Sequence, residues 1–590
     1  MGKTDLFTLE MIKDTLVSIA DEIFVSLART SRSSNIYETL DYSCGITDGS
    51  GQTIAECTGA PVFSGVISSA VKQATRAYGR EGLADGDVIM MNDPLSAGTH
   101  LNDMTLVLPV FIDHELAAFN ASKAHWMDVG GPNPGSWSTT ATEILQEGIL
   151  IPPIKLYSRG FLNRELLDVI RSNVRISPEE YSQVAALRLG ARRIVDLCKK
   201  YGLETYLRAA RRYIEYGSQT SYRALKNLPK GTFEADDYVD NDGLSDKPIY
   251  VKARVTISDG LFEVDYTGSA PQNRGPFNCS LVATKCGAGI AFRAVTDPHG
   301  PSNDGFYRPL RVVAPKGTLF NAQRPAPFSN YYELVSYAAD LICKALSKDV
   351  PGILPAGGSL SPCPTLFAGT DVKGQTFVIH EDHYGGWGAS MRRDGQNVLC
   401  PYVDGDTRLF SAEILEAKYP LLIEQYALNT LDKSGAGKFR GGLGCVKDYR
   451  IIDPRIRSVT GVFGRSRFPP WGVRGGKDGS CNYMLIFNAN ANKPLRKDKI
   501  TGLPLKVGDM VRLVTGNGAG YGSPLKRDPR LVLQDILEGC ITVRDAKDAY
   551  GVITRRNGRE LDLIETRKLR IRLLKHSRHR KTPDEKDSGA

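Results

Sequence analysis

The strongest constraint on the fold is a pair of apolar runs, MTLVLPVF at 104–111 and ELAAFNAS at 115–122, split by Asp113-His114. Two β-type runs joined by a short polar turn predict an antiparallel hairpin. With the turn centred between 113 and 114, Asp103 faces residue 124 and His125 faces residue 102. Cross-strand neighbours have Cα atoms about 4.5–5.5 Å apart, so Asp103 and His125 emerge together at the open end. His100 lies in the loop Asn92–Asp103 that feeds that end. Two imidazoles and a carboxylate converging there form a ligand set for Zn, Mn or Fe with open positions. Asp and His beside strand ends also serve only to satisfy loop backbone groups, and spacing alone leaves both readings open.

The rest of the chain alternates short β-type runs with a few helices, which predicts a multi-domain α+β protein with antiparallel and mixed sheets. Residues 8–30 carry Leu9, Ile12, Leu16, Ile19, Ile23 and Leu27 at helical spacing with acidic residues between them, an amphipathic helix rather than a secretory signal. Residues 42–46 and 52–55 read as a hairpin closed by Asp48-Gly49-Ser50-Gly51, and 87–91 as a buried strand. Helix dominates from 162 to 228, where Ser177-Pro178-Glu179-Glu180 reads as a capping box and Gly202 as a break. Strand pattern returns at 248–267, helix at 331–348, and the chain beyond about 360 is Gly-rich with short strands, followed by helical pieces at 529–538 and 543–549. The expected regions are an N-terminal α+β region at 1–161, a central helical block at 162–235 and a middle α+β region at 236–360. A Gly-rich, β-containing C-terminal region follows at 361–553, then a basic tail at 554–590, disordered beyond about 575.

Composition excludes several function classes. No apolar run approaches the length of a membrane span. The 11 cysteines are scattered with no CxxC pair, which predicts reduced thiols and a cytoplasmic protein. The net charge of +9 is concentrated in residues 567–590, which hold nine Lys and Arg against three Asp and Glu. A basic tail without a nucleic-acid-binding motif predicts a solvated end and no nucleic-acid partner.

Other candidates for chemistry are weaker. The HEDHYGGWG segment holds His380 and His383, but neighbouring strand residues point to opposite faces, so a structural strand end followed by a glycine turn is expected. SGAGKFRGG lacks phosphate-loop spacing, and TGNGAGYG lacks the dinucleotide fingerprint; tight turns are expected for both. Cys44 has no identifiable base. Asn92, Asp93 and Asp128 flank the candidate site, as supports for its ligands or as turn residues.

The stretches NDPLSAGTHLNDMTLVLPVF, ASKAHWMDVGGPNPGS and EGILIPPIKLY resemble the core of the hydantoinase B/oxoprolinase family, which includes subunits of N-methylhydantoinase, 5-oxoprolinase, caprolactamase and acetone or acetophenone carboxylase. NRGPFN at 273–278, RPLRVVAPKGTLFNAQRPAP at 308–327 and GKFRGGLG at 437–444 continue the resemblance. RSRFPPWGVRGG at 465–476, TGNGAGYGSPLKRDP at 515–529 and YGVI at 550–553 complete it, in the family's order. Lys123 and Trp126 depart from the family's usual Arg and His, which leaves the substrate open.

The resemblance implies a bound divalent metal, Zn or Mn foremost and Fe as an alternative, held by His100, Asp103 and His125 with Asp41 as a further carboxylate. These four are the implied catalytic residues, with Asp103 or Asp41 as a general base if either is not a ligand. It implies an A-type partner that binds ATP and phosphorylates the substrate, in a heterotetramer or larger assembly. The implied reaction is ATP-dependent hydrolysis of a cyclic amide such as a hydantoin, 5-oxoproline or a lactam. Ketone carboxylation is the alternative, disfavoured by a family match that ends near 553. A non-catalytic scaffold subunit is the third possibility.

Overall fold

The computed structural model describes residues 6–350, 352–489, 491 and 493–579. The N-terminal region is built on an antiparallel sheet of β1 (Tyr42–Asp48), β2 (Thr53–Glu56), β3 (Val88–Met91), β4 (Asp103–Ile112), β5 (Glu115–His125), β6 (Ile154–Ser158) and β7 (Phe161–Leu162). Its spatial order is β2-β1-β5-β4-β3-β6-β7. Strand alternation sends successive side chains to opposite faces, and here both faces are covered. Met104, Leu106 and Leu108 share a core with Ile12, Leu16 and Ile23 of α1 (Leu6–Thr30). Val107, Phe119 and Ala121 pack instead with Ile67, Val71 and Ala74 of α3 (Pro61–Tyr78). Two short helices, α2 (Ser34–Tyr37) and α4 (Pro94–Ala97), sit in the loops before β1 and β4.

The central hairpin differs from its expected register by one residue. Asp113 and His114 both have positive φ, 49° and 67°, as a two-residue turn matched to strand twist requires. Phe111 pairs with Leu116, but Val110 pairs with Ala118. Ala117 is thus an extra residue on β5, a bulge that shifts all pairing beyond it. Asp103 therefore lies directly opposite His125.

The helical block contains α5 (Arg164–Asn173), α6 (Glu180–Tyr201) and α7 (Leu203–Lys226), with the break at Gly202 (φ 83°). The expected capping box is absent. Helix α6 starts at Glu180 with Glu179 at its cap position. The Glu179 carboxylate instead accepts from Ser31 Oγ and the Arg32 N–H, and Arg171 donates to Glu180. Tertiary partners hold both carboxylates, including that of Glu180, the one the local motif would use.

The middle region pairs β8 (Gly231–Val239), β9 (Ile249–Ile257), β10 (Phe262–Asp265) and β11 (Leu310–Val313) in the order β11-β10-β9-β8. Against it lie α8 (Leu281–Thr296) and α9 (Tyr331–Leu346). Every residue of α9 from Tyr331 to Ile342 is buried, the signature of a helix enclosed on all sides.

The C-terminal region holds β12 (Thr365–Thr370), β13 (Thr376–Glu381), β14 (Leu421–Leu428), β15 (Cys445–Ile451), β16 (Ile456–Val462), β17 (Tyr483–Phe487), β18 (Leu495–Lys497), β19 (Lys499–Pro504) and β20 (Met510–Val514). They form two sheets, β13-β12-β16-β19 and β14-β15-β20-β17-β18, around a shared core that includes Phe367, Ile379, Tyr449, Val459, Met484 and Val511. Helices α10 (Ala412–Lys418), α11 (Pro529–Leu537), α12 (Val543–Asp548) and α13 (Leu563–His579) follow, with a short two-stranded pair of Thr554–Arg555 and Glu560–Leu561 before the last. Much of the basic segment is therefore helical. The expectation of disorder beyond about 575 otherwise falls on residues 580–590, outside the described ones.

The glycine segments are not simple tight turns. Gly435 N–H donates to Gly518 O, Gly518 N–H to Gly442 O, and Gly442 N–H to Trp387 O. A Cβ on Gly441 would lie 1.8 Å from Gly518 O, and one on Gly442 would lie 1.9 Å from Gln396 O. Close approach of separate backbone segments, not positive φ, selects glycine at these positions.

Candidate metal centre

The ends of β4 and β5 place Asp103 and His125 side by side, and the loop after α4 brings His100 to them. His100 Nε2 lies 2.9 Å from Asp103 Oδ1 and 3.2 Å from His125 Nδ1. His125 Nδ1 is 3.0 Å from the same Asp103 oxygen. Asp41 follows Leu40, whose φ is 59°, and its Oδ2 is 3.8 Å from His125 Nδ1. All four residues singled out by sequence and resemblance therefore meet. Asp41 is the most open, with 19% of its side chain exposed.

A hydrogen bond fixes which ring nitrogen of His100 is protonated. His100 Nδ1 is 2.9 Å from Ser329 O, an acceptor, so Nδ1 carries the proton and Nε2 presents a lone pair. That lone pair faces a carboxylate oxygen and another imidazole nitrogen. Burial raises Asp103, but His100 and His125 outweigh it and hold its carboxyl well below the usual carboxylate range. Burial pushes His125 down to about 4, against the pull of Asp103. Asp103 is ionised and His125 neutral near pH 7, and one carboxylate oxygen and two imidazole nitrogens converge. A cation relieves that arrangement, and the donor set suits Zn, Mn or Fe.

The site's walls come from all along the chain. Trp137 meets His100 edge-on and His125 at a tilt, with ring centroids at 5.3 and 5.6 Å, and its Nε1 donates to Asn330 Oδ1. Tyr331 at the start of α9 donates to Asp103 Oδ2 at 3.2 Å. Lys123 is fully buried, pushed down to about 8 by burial. Its Nζ donates to the Asp103 carbonyl and Thr105 Oγ1, so it braces β4 from behind the ligand cluster.

Sequence reasoning missed His380, Asp382 and Asp404, which line the same small cavity. His380 does stand at a strand end, but its ring centroid lies 5.1 Å from that of His125 and 4.9 Å from that of Trp137. The alternation argument holds for its neighbour: Glu381 turns the other way and bonds Lys447 and Tyr449, with His383 against Tyr449. The HEDH string was the available signal for His380. Asp404 had none.

The ambiguous flanking residues are turn-builders. Asn92 bonds the Leu101 and Ile149 carbonyls and the Ile151 N–H. Asp93 caps α4 and pairs with Arg324, and Asp128 accepts from Gly130, Gly135 and Arg175. Cys44 is buried in the sheet, its thiol raised by burial, and its N–H donates to Cys57 Sγ.

One support for His100 is indirect. The buried carboxylate of Glu147 accepts the Phe328 and Ser329 N–H groups, holding the backbone up to Ser329, whose carbonyl receives His100. Burial pushes Glu147 up to about 7 from an ordinary 4.5. The folded protein then holds a proton that the unfolded chain releases above 4.5, so stability from this group falls as pH rises from 4.5 toward 7. Glu147→Gln keeps an acceptor and removes the titration. Melting curves at about pH 5 to 8 should show a shallower pH dependence in the variant; parallel dependence would mean that Glu147 is ionised throughout.

The family described as Hydantoinase B/oxoprolinase matches residues 5–524. The chain belongs to the hydantoinase B/oxoprolinase family. A protein of Pseudomonas sp. (strain NS671), provisionally named as the B-type subunit of a D-/L-hydantoinase, is 32% identical over 592 residues, covering 97% of this chain and 98% of its own. The crystal structure of ATP-dependent caprolactamase from Pseudomonas jessenii is similar at TM-score 0.88 and 27% identity, covering 97% of this chain and 100% of that one. Nucleotide-free acetone carboxylase is similar at TM-score 0.90, covering 98% and 84%, but its 20% identity speaks to the fold alone. The α+β architecture is thus shared with caprolactamase and with acetone carboxylase. No helix among the described residues is long and apolar enough to cross a membrane.

Proposed function

We propose that this chain is the metal-holding B-type subunit of an ATP-dependent hydrolase that opens a cyclic amide: a hydantoin, 5-oxoproline or a lactam. Family membership and the near full-length likeness to a hydantoinase component and to caprolactamase support the reaction class. The observation that carries the site is the meeting of His100 Nε2, Asp103 Oδ1 and His125 Nδ1 within 3.2 Å.

In this reading an A-type partner binds ATP and phosphorylates the amide oxygen, and the two subunits form a heterotetramer or larger complex in the cytoplasm. The free thiols of all 11 cysteines fit that compartment. A divalent Zn, Mn or Fe held by His100, Asp103, His125 and Asp41 supplies Lewis-acid polarisation and a lowered pKa for water. The chain's own groups prepare the reaction. Trp137 and Tyr331 close the buried side against solvent. Asp41 is the partly open carboxylate, and burial together with Asp103, Asp382 and Asp404 raises its pKa well above the ordinary value. If Asp41 is not a ligand, its carboxylate is instead the general base that takes a proton from water.

The test is to co-express the chain with its A-type partner and supply ATP with 5-oxoproline, hydantoin or ε-caprolactam. Open-chain product with matching ADP release is the expected result. Turnover only of acetone or acetophenone, and only with bicarbonate, would make the complex a carboxylase instead. ATP-dependent product that persists undiminished after His125→Ala would reduce the chain to a scaffold.

A further inference from the structure

The ring of His380 lines the same cavity as the proposed ligands, yet one side of it has no use within the fold. The residue is 6% exposed, and its Nε2 is buried with no hydrogen-bond partner. Asp382 Oδ1 lies 3.6 Å away, too far for a hydrogen bond. Buried polar atoms are satisfied in the large majority of cases, so an orphan in a site calls for an occupant.

The other ring nitrogen decides the chemistry of that occupant. Asn35 Nδ2, on α2, lies 2.6 Å from His380 Nδ1. An amide N–H only donates, so Nδ1 accepts and the ring proton sits on Nε2. Donor atoms of Asp41, His125 and His380 lie within 4.8 Å of one another, as do those of His100, Asp103 and His125. An Nε2 that carries its proton has no lone pair for a metal, however, so His380 meets the ligand cluster as a hydrogen-bond donor. Asn35 also sets the neighbouring carboxylate, because its carbonyl accepts the Asp41 N–H at 2.8 Å. One buried residue thus places both the His380 donor and the most open of the proposed ligands. Packing keeps the ring in place, with its centroid 4.9 Å from that of Trp137 and 5.1 Å from that of His125.

We infer that His380 is a substrate-contacting catalytic residue whose Nε2–H donates to the oxygen on the reacting carbon, with Asn35 as the positioning residue that holds the ring. The inference rests on the proposed reading of the site as a cyclic-amide hydrolase. The ring N–H of a cyclic amide is itself a donor, so of the amide's two polar atoms the oxygen is the one that can receive Nε2–H. A fixed donor on that oxygen draws electron density from the carbon and favours attack by water, in a site where the donor needs no reorganisation. A ring without that oxygen would leave the donor buried and unpaired, which selects against it.

The full chain in complex with its A-type partner is assayed on 5-oxoproline, hydantoin and ε-caprolactam, beside His380→Leu, His380→Gln and Asn35→Asp, and each complex is analysed for metal. Loss of one such donor costs about 100–1000-fold in kcat. His380→Leu should show that fall with KM changed far less and with metal per chain as in the wild type. His380→Gln, whose amide N–H can stand in for Nε2–H, should recover a large share. The carboxylate of Asn35→Asp accepts only from Nδ1–H and so turns Nε2 into a lone pair; kcat should fall there as in His380→Leu. That variant also carries the test if His380→Leu does not fold. Metal lost in His380→Leu would make the residue a ligand, and kcat unchanged there would make it a wall; either result overturns the inference. Full activity in Asn35→Asp overturns it too, since Nε2 would then present a lone pair in the wild type. A wild-type complex that carboxylates acetone or acetophenone and opens no cyclic amide overturns the hydrolase reading alone. A ketone carries the same oxygen, and the variants are then judged on that reaction. A complex inactive on every substrate overturns both.

Discussion

Replacing His125 by Ala is expected to strip the purified chain of its metal. His125 is the imidazole common to both donor groupings, and its Nδ1 sits 3.0 Å from Asp103 and 3.2 Å from His100. Loss of a group that merely supports a metal ligand costs about 10–100-fold in affinity, so loss of the ligand itself should exceed about 100-fold. Elemental analysis of wild type and variant reads this directly, and ring opening by the complex should fall with the metal. Because burial keeps His125 neutral down to about pH 4, its lone pair stays available through the mildly acidic range. Wild-type metal should survive dialysis at about pH 5.5. A wild-type chain that takes up no Zn, Mn or Fe, even reconstituted beside its partner, would defeat the assignment of all four residues.

The part of this site legible in the sequence is the part carried by local geometry. Asp103, His125 and His100 belong to one hairpin and its feeding loop, so turn position and strand period were enough to bring them to the same end. The one-residue register error came from Ala117, since an alanine inside an apolar strand gives no sign that it will bulge. His380 is more than 250 positions from His125. It arrives through packing of the C-terminal sheets and α9, which no periodicity encodes. Ser177 and Glu180 show the opposite failure: the capping string is intact, yet Ser31, Arg32 and Arg171 compete for its carboxylates. The glycine segments were legible as turns but not as mutual close packing, because what a Cβ would strike is a remote backbone. Family resemblance supplied Asp41, whose strand-start context alone reads as structural.

The RSRFPPWGVRGG string resisted a local reading, and the structure gives it a purpose that predicts the largest stability effect. Arg465 is 1% exposed. It donates to Asp237 of β8 at 3.0 Å and to Asp340 of α9 at 2.6 Å, with its guanidinium 4.9 Å from the Tyr337 ring centroid. Trp471 adds an indole N–H to the same Asp340 oxygen. Two residues of one short segment thus tie the C-terminal region to the middle sheet and to the helix whose first turn lines the candidate site. Arg465→Met keeps much of the volume, leaves Asp340 without its cation and leaves Asp237 with Lys344 alone, at 3.2 Å. Breaking a buried charge network by removing one partner costs about 3–5 kcal/mol, and that loss is expected in thermal or denaturant unfolding. The sign with pH follows from the carboxylates. Arg465 helps hold Asp237 below its ordinary value, so without it both aspartates move upward and their protonated forms are favoured. Folded-state carboxyls with raised pKa lose stability as pH rises, so the variant should be worst near pH 8 and partly recover near pH 5. Adding Asp237→Asn and Asp340→Asn to Arg465→Met should restore a substantial share of the lost stability, because the uncompensated charges are then gone. If the triple variant is no more stable than Arg465→Met, the clamp works through packing against Tyr337 and Trp471 rather than through charge.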